Sequence, residues 1–295
     1  MFSLDRSCSL CGNALFQSLT DARLTHLCRC GTCGLVQVRA FPAPHELHEI
    51  YGEGYFQSEN SAEMGYTDYA ADRDLIVRTA HRRLKSIERV APAKGRLLDV
   101  GCALGFFLLA AEKGGWDVAG VDISAHAAGY ARETLGLDAR AGMLEDTGFE
   151  ERSFDVLTMW DVVEHVPSPV ETLRICAGLL KDGGLVALST PDIGSRVARL
   201  TKARWMGFKL AEEHLYYFSR KTMALALEQA GFEVLETRST GKDISLDFFA
   251  KRLVLYAGPA SKFAAKVLSC TGLGRRTAYV NPRDIMFMIA RKKAN

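Results

Sequence analysis

The sequence predicts an α/β protein built on a doubly wound, mostly parallel sheet, with a small cysteine-bound ribbon ahead of it. Three observations carry that prediction. Five cysteines, Cys8, Cys11, Cys28, Cys30 and Cys33, crowd the N-terminal segment. From residue 94 on, short apolar runs alternate with amphipathic stretches at the rhythm of strands and helices. A glycine-containing turn follows the first of those runs directly. With 295 residues, 48% of them hydrophobic, the chain can bury one large core and still carry an attached unit. The formal charge of +2 is too small for a general nucleic-acid surface, so any electrostatic role must be local. No apolar run reaches the ~18 residues of a membrane span, and Asp5 and Arg6 sit where a leader would be apolar. A cytoplasmic protein is expected.

In a reducing compartment, crowded cysteines argue for a metal rather than disulfides. Cys8-x-x-Cys11 and Cys30-x-x-Cys33 are two such turns with 18 residues between them, followed by Gly12 and Gly34. The spacing suits a tetrahedral four-sulfur zinc site, closed and therefore structural, and the glycines permit the tight backbone. Cys28 leaves one choice open: it replaces Cys30 or is a spare thiol. The metal would fold a segment too short to fold alone.

In the core, Arg96 to Val100 reads as a buried strand, followed by the turn Gly101-Cys102-Ala103-Leu104-Gly105 and a helix from about Phe106. Asp117 to Asp122 is the second strand, with Ser124 as a helix cap. Phe154 to Trp160, a helix over Ser168 to Leu180, the Gly183-Gly184 turn and Leu185 to Ser189 continue the alternation. In such a sheet ligands gather at the carboxyl ends of the strands, where a glycine turn lets them approach backbone N–H groups. Asp122 closes the second strand where a carboxylate can accept both hydroxyls of a ribose. A dinucleotide fingerprint would need G-x-G-x-x-G, and only Gly101 and Gly105 are present. Asp99 adds a second acidic group beside the turn. Two carboxylates favour S-adenosylmethionine, which carries an ammonium and a sulfonium, over an anionic nicotinamide dinucleotide.

The segments LLDVGCALGFFL, GVDIS, SFDVLTMWDVVEH, LLKDGGLVALSTPD and EHLYYFS together resemble the class I S-adenosylmethionine-dependent methyltransferases. More narrowly, they are similar to bacterial members with an N-terminal C-x-x-C zinc ribbon, over nearly the whole chain. The resemblance implies a Rossmann-like, seven-stranded sheet and cofactor contacts carried over position by position. Asp99, Gly101 and Gly105 would meet the methionine moiety, Asp122 and Ile123 the ribose and adenine edge, and Met143 and Leu144 the adenine. Trp160 and Asp161 would border the methyl group. Ala103 departs from the family, whose turn usually has glycine there. The expected organisation is a zinc ribbon over 1–40, a helical linker and lid over 41–93, and a cofactor-binding domain over 94–295. Acceptor-loop insertions are expected near 192–218 and 239–283.

Methyl transfer from a sulfonium chiefly needs alignment, but a hydroxyl or carbon acceptor must also lose a proton. Asp161-x-x-Glu164-His165 ends the fourth strand, and His214 lies beyond the fifth, able to fold over the same opening. Three readings stand side by side: His165 or His214 as a base, a divalent cation held by Asp161, Glu164, His165 and His214, or acidic helix caps with a hydrogen-bonded histidine. The cation reading rests on a resemblance to ubiquinone-pathway O-methyltransferases and small-RNA 2′-O-methyltransferases, whose E-x-x-E-H motif has Glu where this chain has Asp161.

Two segments outside the recurring core are natural acceptor-binding loops. Residues 193–210 contain Arg196, Arg199, Lys202, Arg204 and Lys209 with no acidic residue. Residues 248–283 contain Lys251, Arg252, Lys262, Lys266, Arg275, Arg276 and Arg283, again without Asp or Glu. These point to an anionic small-molecule acceptor, such as a phosphorylated, nucleotide-linked or lipid-linked sugar, methylated at oxygen or carbon. Residues 248–283 could also form amphipathic helices that rest on an anionic membrane. The alternatives are a nicotinamide-dependent dehydrogenase or epimerase, and an RNA-directed methyltransferase. The ribbon argues against RNA, because residues 8–34 hold only Arg23 and Arg29 as basic groups. The oligomeric state is left open.

Overall fold

The computed structural model describes residues 2–3, 7–42, 69–208, 214–246, 248–250, 274 and 276–294. The N-terminal part forms four short strands, β1 (Phe2–Ser3), β2 (Leu15–Ser18), β3 (Leu27–Cys30) and β4 (Val36–Val38). Helix α1 (Arg73–Glu88) follows and buries Ile76, Ala80, Leu84 and Ile87, the three-to-four spacing of one helical stripe. The sequence then alternates as expected: β5 (Arg96–Val100), α2 (Phe106–Lys113), β6 (Asp117–Asp122), α3 (Ala125–Leu135), β7 (Ala139–Ala141), β8 (Phe154–Trp160), α4 (Pro169–Leu179) and β9 (Leu180–Pro191). Ser124 caps α3 by accepting from the Ala127 N–H, and Gly136 closes that helix in the left-handed region. After α5 (Arg196–Thr201) and β10 (Tyr216–Tyr217) come α6 (Arg220–Gln229), β11 (Phe232–Ser245) and β12 (Thr277–Lys292).

Seven strands form the main sheet in the order β11-β12-β9-β8-β5-β6-β7. Strands β9, β8, β5, β6 and β7 are parallel neighbours, and β12 runs antiparallel to both β9 and β11. Leu97, Leu98, Val156, Leu157, Val186 and Leu188 are fully buried, as central parallel strands covered on both faces require. Two expectations are corrected. The Gly183-Gly184 turn lies inside β9 as a bulge: Leu180 pairs with Phe154, yet Leu185 pairs with Val156. The expected insertion near 239–283 begins and ends as sheet, since Ser239 pairs with Met286 and Ser245 with Thr277. Strand β11 stands at the sheet edge and alternates exposed and covered residues, while the polar stretch Asn281 to Asp284 interrupts β12 ahead of its buried run Met286 to Ala290, and both hide the pattern.

The second sheet, order β1-β2-β3-β4-β10, is antiparallel. Its last strand belongs to the larger unit, with Tyr216 opposite Gln37 and Tyr217 opposite Val36. One continuous core joins Phe16, Leu27, Leu35 and Val36 of the ribbon to Leu98, Val100, Met159 and Leu188 of the main sheet. The opposite face packs Leu84 and Ile87 of α1 and Phe107 and Leu108 of α2 against Val156, Ala187 and Phe287. Among the described residues no helix is long and apolar enough to cross a membrane. Of the lid expected over 41–93, residues 43–68 lie outside the described residues, and α1 forms most of the remainder.

Candidate functional site

The carboxyl ends of β5 and β6 meet at the glycine turn. Gly101, at φ +74°, donates its N–H to the Val121 carbonyl at 2.8 Å, and a Cβ there would stand 2.4 Å from Cγ2 of Val162. Gly105 opens α2 at φ +82°, where a Cβ would press on Ala131 and Leu137. Ala103 takes the left-handed region at φ +47° without being glycine. Its N–H donates to Oδ2 of Asp122 at 2.8 Å, and the Ser124 N–H donates to Oδ1 at 2.9 Å. One carboxylate therefore ties the turn to the start of α3, and each oxygen keeps a lone pair for a further donor. Burial raises the Asp122 carboxyl, and these two N–H groups counter the rise. Ile123 and Met143, half-buried, follow the ends of the adjacent strands β6 and β7, with Leu144 buried beside them.

Asp99 differs from expectation. It is fully covered, its Oδ1 accepts from the Thr158 hydroxyl at 2.5 Å, and burial pushes it up to about 8. This environment favours the neutral carboxyl over the second negative charge expected from the sequence. Trp160 points into the core facing α1 and α2, with Phe107 at 5.1 Å, Phe287 stacked at 6.0 Å and the Arg83 guanidinium 4.4 Å over its ring. Its indole N–H is buried with no partner among the described residues.

Asp161 leaves the group in which the sequence placed it. At φ +58° it turns back on β9: its N–H donates to the Ser189 carbonyl at 2.8 Å and its Oδ1 accepts from the Ser189 hydroxyl at 2.9 Å. Its Oδ2 pairs with Lys242 Nζ at 2.8 Å and faces the Arg83 guanidinium at 3.7 Å. Burial alone would raise this carboxyl, but the charges of Lys242 and Arg83 outweigh it and hold Asp161 at about 2. This carboxylate is taken up by Lys242, Arg83 and Ser189 and falls outside the cluster that Glu164, His165 and His214 form.

Glu164, His165 and His214 do converge, and their ligating atoms lie within 4.8 Å of one another. The two imidazoles meet edge to face at 4.7 Å. Glu164 is 1% exposed, and neither of its carboxyl oxygens has a hydrogen-bond partner among the described residues. The Thr190 hydroxyl lies beside it without hydrogen-bond geometry. Burial, and then the nearby Asp161 charge, raise Glu164 to about 8. Burial, followed by His165, drives His214 well below the ordinary imidazole range, and its Nδ1 is likewise buried without a partner. A neutral carboxyl and a neutral imidazole with unclaimed lone pairs suit a cation, which would displace the carboxyl proton. Backbone fixes the pair: the Glu164 carbonyl accepts from the N–H groups of Leu215 at 2.9 Å and Tyr216 at 3.1 Å. Sequence reasoning missed Arg83, Ser189, Thr190, Tyr217 and Lys242. Arg83 alone carried a signal, as a cation on the apolar stripe of α1.

In the ribbon, Cys8 and Cys33 lie 3.6 Å apart and Cys11 and Cys30 3.4 Å apart, and all four sulfurs fall within 4.8 Å. A tetrahedron with ~2.3 Å metal–sulfur bonds has edges of about 3.8 Å, so the thiols fit one ion without rearrangement. Gly12 and Gly34 take φ +69° and +83°, with open space where a Cβ would be. The Cys33 thiol, with the N–H groups of Leu10 and Cys11, draws Cys8 down to about 5 against the opposing effect of burial. Cys28 stands apart, its thiol directed at the Gln37 carbonyl and raised to about 11 by burial. It is the spare thiol.

Arg196, Arg199, Lys202 and Arg204 are exposed on α5 and the turn after it. The chain then returns through the buried Trp205, bonded to Asp284 at 3.0 Å, and through Phe208, whose ring meets Tyr217 at 5.1 Å beside His214. Arg276 and Arg283 are exposed. Lys209, Lys251, Arg252, Lys262, Lys266 and Arg275, and with them the expected membrane-facing helices, lie outside the described residues.

The chain is 38% identical over 108 residues to a ubiquinone biosynthesis O-methyltransferase of Xanthomonas campestris pv. campestris (strain B100), a match covering 35% of this chain and 45% of that protein. The corresponding protein of Ralstonia nicotianae is 37% identical over 119 residues, 37% of this chain and 48% of that protein. The chain thus spans less than half the length of these curated relatives. In three dimensions it resembles a SAM-dependent methyltransferase from Archaeoglobus fulgidus, with TM-score 0.55, 18% identity and coverage of 81% of this chain and 99% of that one. At that identity the likeness establishes the fold, that of the class I S-adenosylmethionine-dependent methyltransferases. A family model described as a methyltransferase domain matches residues 69–237, more than half of the chain, and this protein belongs to that family.

Proposed function

We propose that this protein transfers the methyl group of S-adenosylmethionine to an oxygen atom of a small-molecule acceptor. The observation that carries the reading is the cluster of Glu164, His165 and His214 at the end of β8 in a methyltransferase fold, with the Glu164 carboxyl and His214 Nδ1 buried without a hydrogen-bond partner among the described residues. When bound, the cofactor supplies a methyl group already activated by its sulfonium. Asp122 is positioned to accept from the ribose hydroxyls, Ile123, Met143 and Leu144 to flank the adenine, and the turn Gly101 to Gly105 with Asp99 to receive the methionine moiety. Glu164, His165 and His214 then handle the acceptor. His214, kept neutral by burial, has the lone pair of a metal ligand rather than the basicity of a proton acceptor, which favours a divalent cation held by the trio over histidine as sole base. Such a cation would lower the pKa of an acceptor hydroxyl, and oxygen as the site agrees with the O-methyltransferases to which the chain is similar.

The exposed Arg196, Arg199, Lys202 and Arg204, on the segment that leads to His214, support an acceptor with negative charge. Cys8, Cys11, Cys30 and Cys33 are assigned a structural zinc ion. Calorimetry with S-adenosylmethionine, followed by a mass-spectrometric search for acceptors that gain one methylene, tests the activity. Asp122→Ala is expected to weaken cofactor binding by about a hundredfold, because the ribose loses a charge-assisted pair of hydrogen bonds. Undiminished affinity in that variant, or no binding by the native protein, overturns the reading.

A further inference from the structure

The ribbon and the Glu164 trio are joined by one side chain. Ser9 lies between two of the clustered cysteines, Cys8 and Cys11, and its hydroxyl is 2.7 Å from that of Tyr216. The Tyr216 O–H donates to the Pro167 carbonyl at 2.8 Å, so its hydrogen is spent and Ser9 is the donor in the other bond. A relay thus runs from the cysteine turn, through Tyr216, to the backbone two residues beyond His165. Tyr216 is fully buried and belongs to β10, paired with Gln37 of the ribbon. Two residues before it stands His214, and its own N–H, with that of Leu215, holds the Glu164 carbonyl. The Leu215 carbonyl in turn accepts from the Val38 N–H at 3.0 Å. Both segments that supply the trio, 164–167 and 214–217, are therefore anchored to the ribbon. Among the described residues no group meets the Glu164 carboxyl with full hydrogen-bond geometry, its own N–H and the Thr190 hydroxyl lying near, so its place depends on how its backbone is held.

We propose that the cysteine centre sets the geometry of the acceptor site, with Tyr216 as the positioning residue between them. The inference rests on the reading above that Glu164, His165 and His214 act on the acceptor. A merely structural ribbon would contribute to folding and leave the imidazoles undisturbed once the chain is folded. A coupled ribbon transmits its own state to them, because a lost Tyr216 hydroxyl leaves the Pro167 carbonyl and Ser9 without their partner and lets both anchored segments shift.

The test compares native protein, protein stripped of ribbon metal by a chelator, and Tyr216→Phe, which removes one hydroxyl, all read in the same excess of magnesium, a hard cation that thiolates do not hold, so that the Glu164 trio is in one state throughout. Imidazole NMR signals assigned by His165→Gln and His214→Gln, affinity for S-adenosylhomocysteine by calorimetry, and kcat and KM are read for each. In Tyr216→Phe the two imidazole signals are expected to move, kcat to fall by about tenfold or more, and homocysteine-nucleoside affinity to stay within about twofold, the pattern of a displaced reacting group beside an intact cofactor berth. The stripped protein is expected to show the same imidazole shifts. If Tyr216→Phe does not fold, Ser9→Ala, which breaks only the first link, carries the same comparison. Unchanged imidazole signals in a folded variant and in the stripped protein overturn the coupling. Absence of any methyl transfer by the native protein would instead overturn the proposed function, and the imidazole shifts would still decide the coupling.

Discussion

A buried carboxyl without a hydrogen-bond partner is costly to ionise, and Glu164 is such a group. Its folded pKa, about 8, lies above that of the unfolded chain. Its contribution to stability is therefore complete below roughly pH 4.5 and is lost as pH rises through about 8. Glu164→Gln keeps the volume and removes the ionisation. Thermal melts should show the variant more stable than the native chain by up to about 5 kcal/mol at pH 9 and equal to it near pH 4. Methyl transfer should fall at least about a hundredfold, because an amide neither draws a cation nor takes up a proton. Equal melting at pH 9 would mean that the carboxyl is already paired. Asp161 shows the opposite environment, since Lys242 and Arg83 favour its charge, and a motif that ranks the two acidic residues alike cannot distinguish them.

At the scale of elements, the glycine turn joins cofactor berth and acceptor site mechanically. A Cβ on Gly101 would meet Val162, which lies on the same short loop as Glu164 and His165. Gly101→Ala is expected to cost about 2 kcal/mol, from left-handed backbone and overpacking together, and to weaken S-adenosylhomocysteine binding in calorimetry. Ala103→Gly should leave that affinity unchanged, since φ +47° already asks for a residue without a side chain. The strands β5, β6 and β8 and the helices between them were legible because buried parallel strands are continuous apolar runs and Ser124 marks a cap. The pair β11 and β12 was not, because the edge strand β11 alternates polar and apolar residues and because Asn281-Pro282-Arg283-Asp284 of β12 reads equally well as a loop.

At the scale of the molecule, the ribbon and the main sheet share one core and one edge, β4 against β10. The chain should therefore unfold in a single transition, and chelation of the ribbon metal should lower that transition as a whole, by roughly 10 °C. Differential scanning calorimetry with and without chelator checks this. A separate low-temperature transition for the ribbon, leaving the main one in place, would show that the shared core does not couple them.

Local chemistry alone determined the α/β class, the paired C-x-x-C turns, the glycine turn and the acidic tip of β6, while the choice between Cys28 and Cys30 waited for the fold. Each depends on residues within a few positions of one another, through side-chain periodicity, backbone sterics or the span of a C-x-x-C turn. Tertiary structure decided which residues finally meet. Lys242, eighty-one positions beyond Asp161, pairs with that carboxylate, while His214 arrives from beyond β9 to meet Glu164 and His165. Tyr216 pairs with a strand nearly two hundred residues earlier and ties the ribbon to the site. Such encounters follow from sheet order and burial, which no short stretch of sequence encodes.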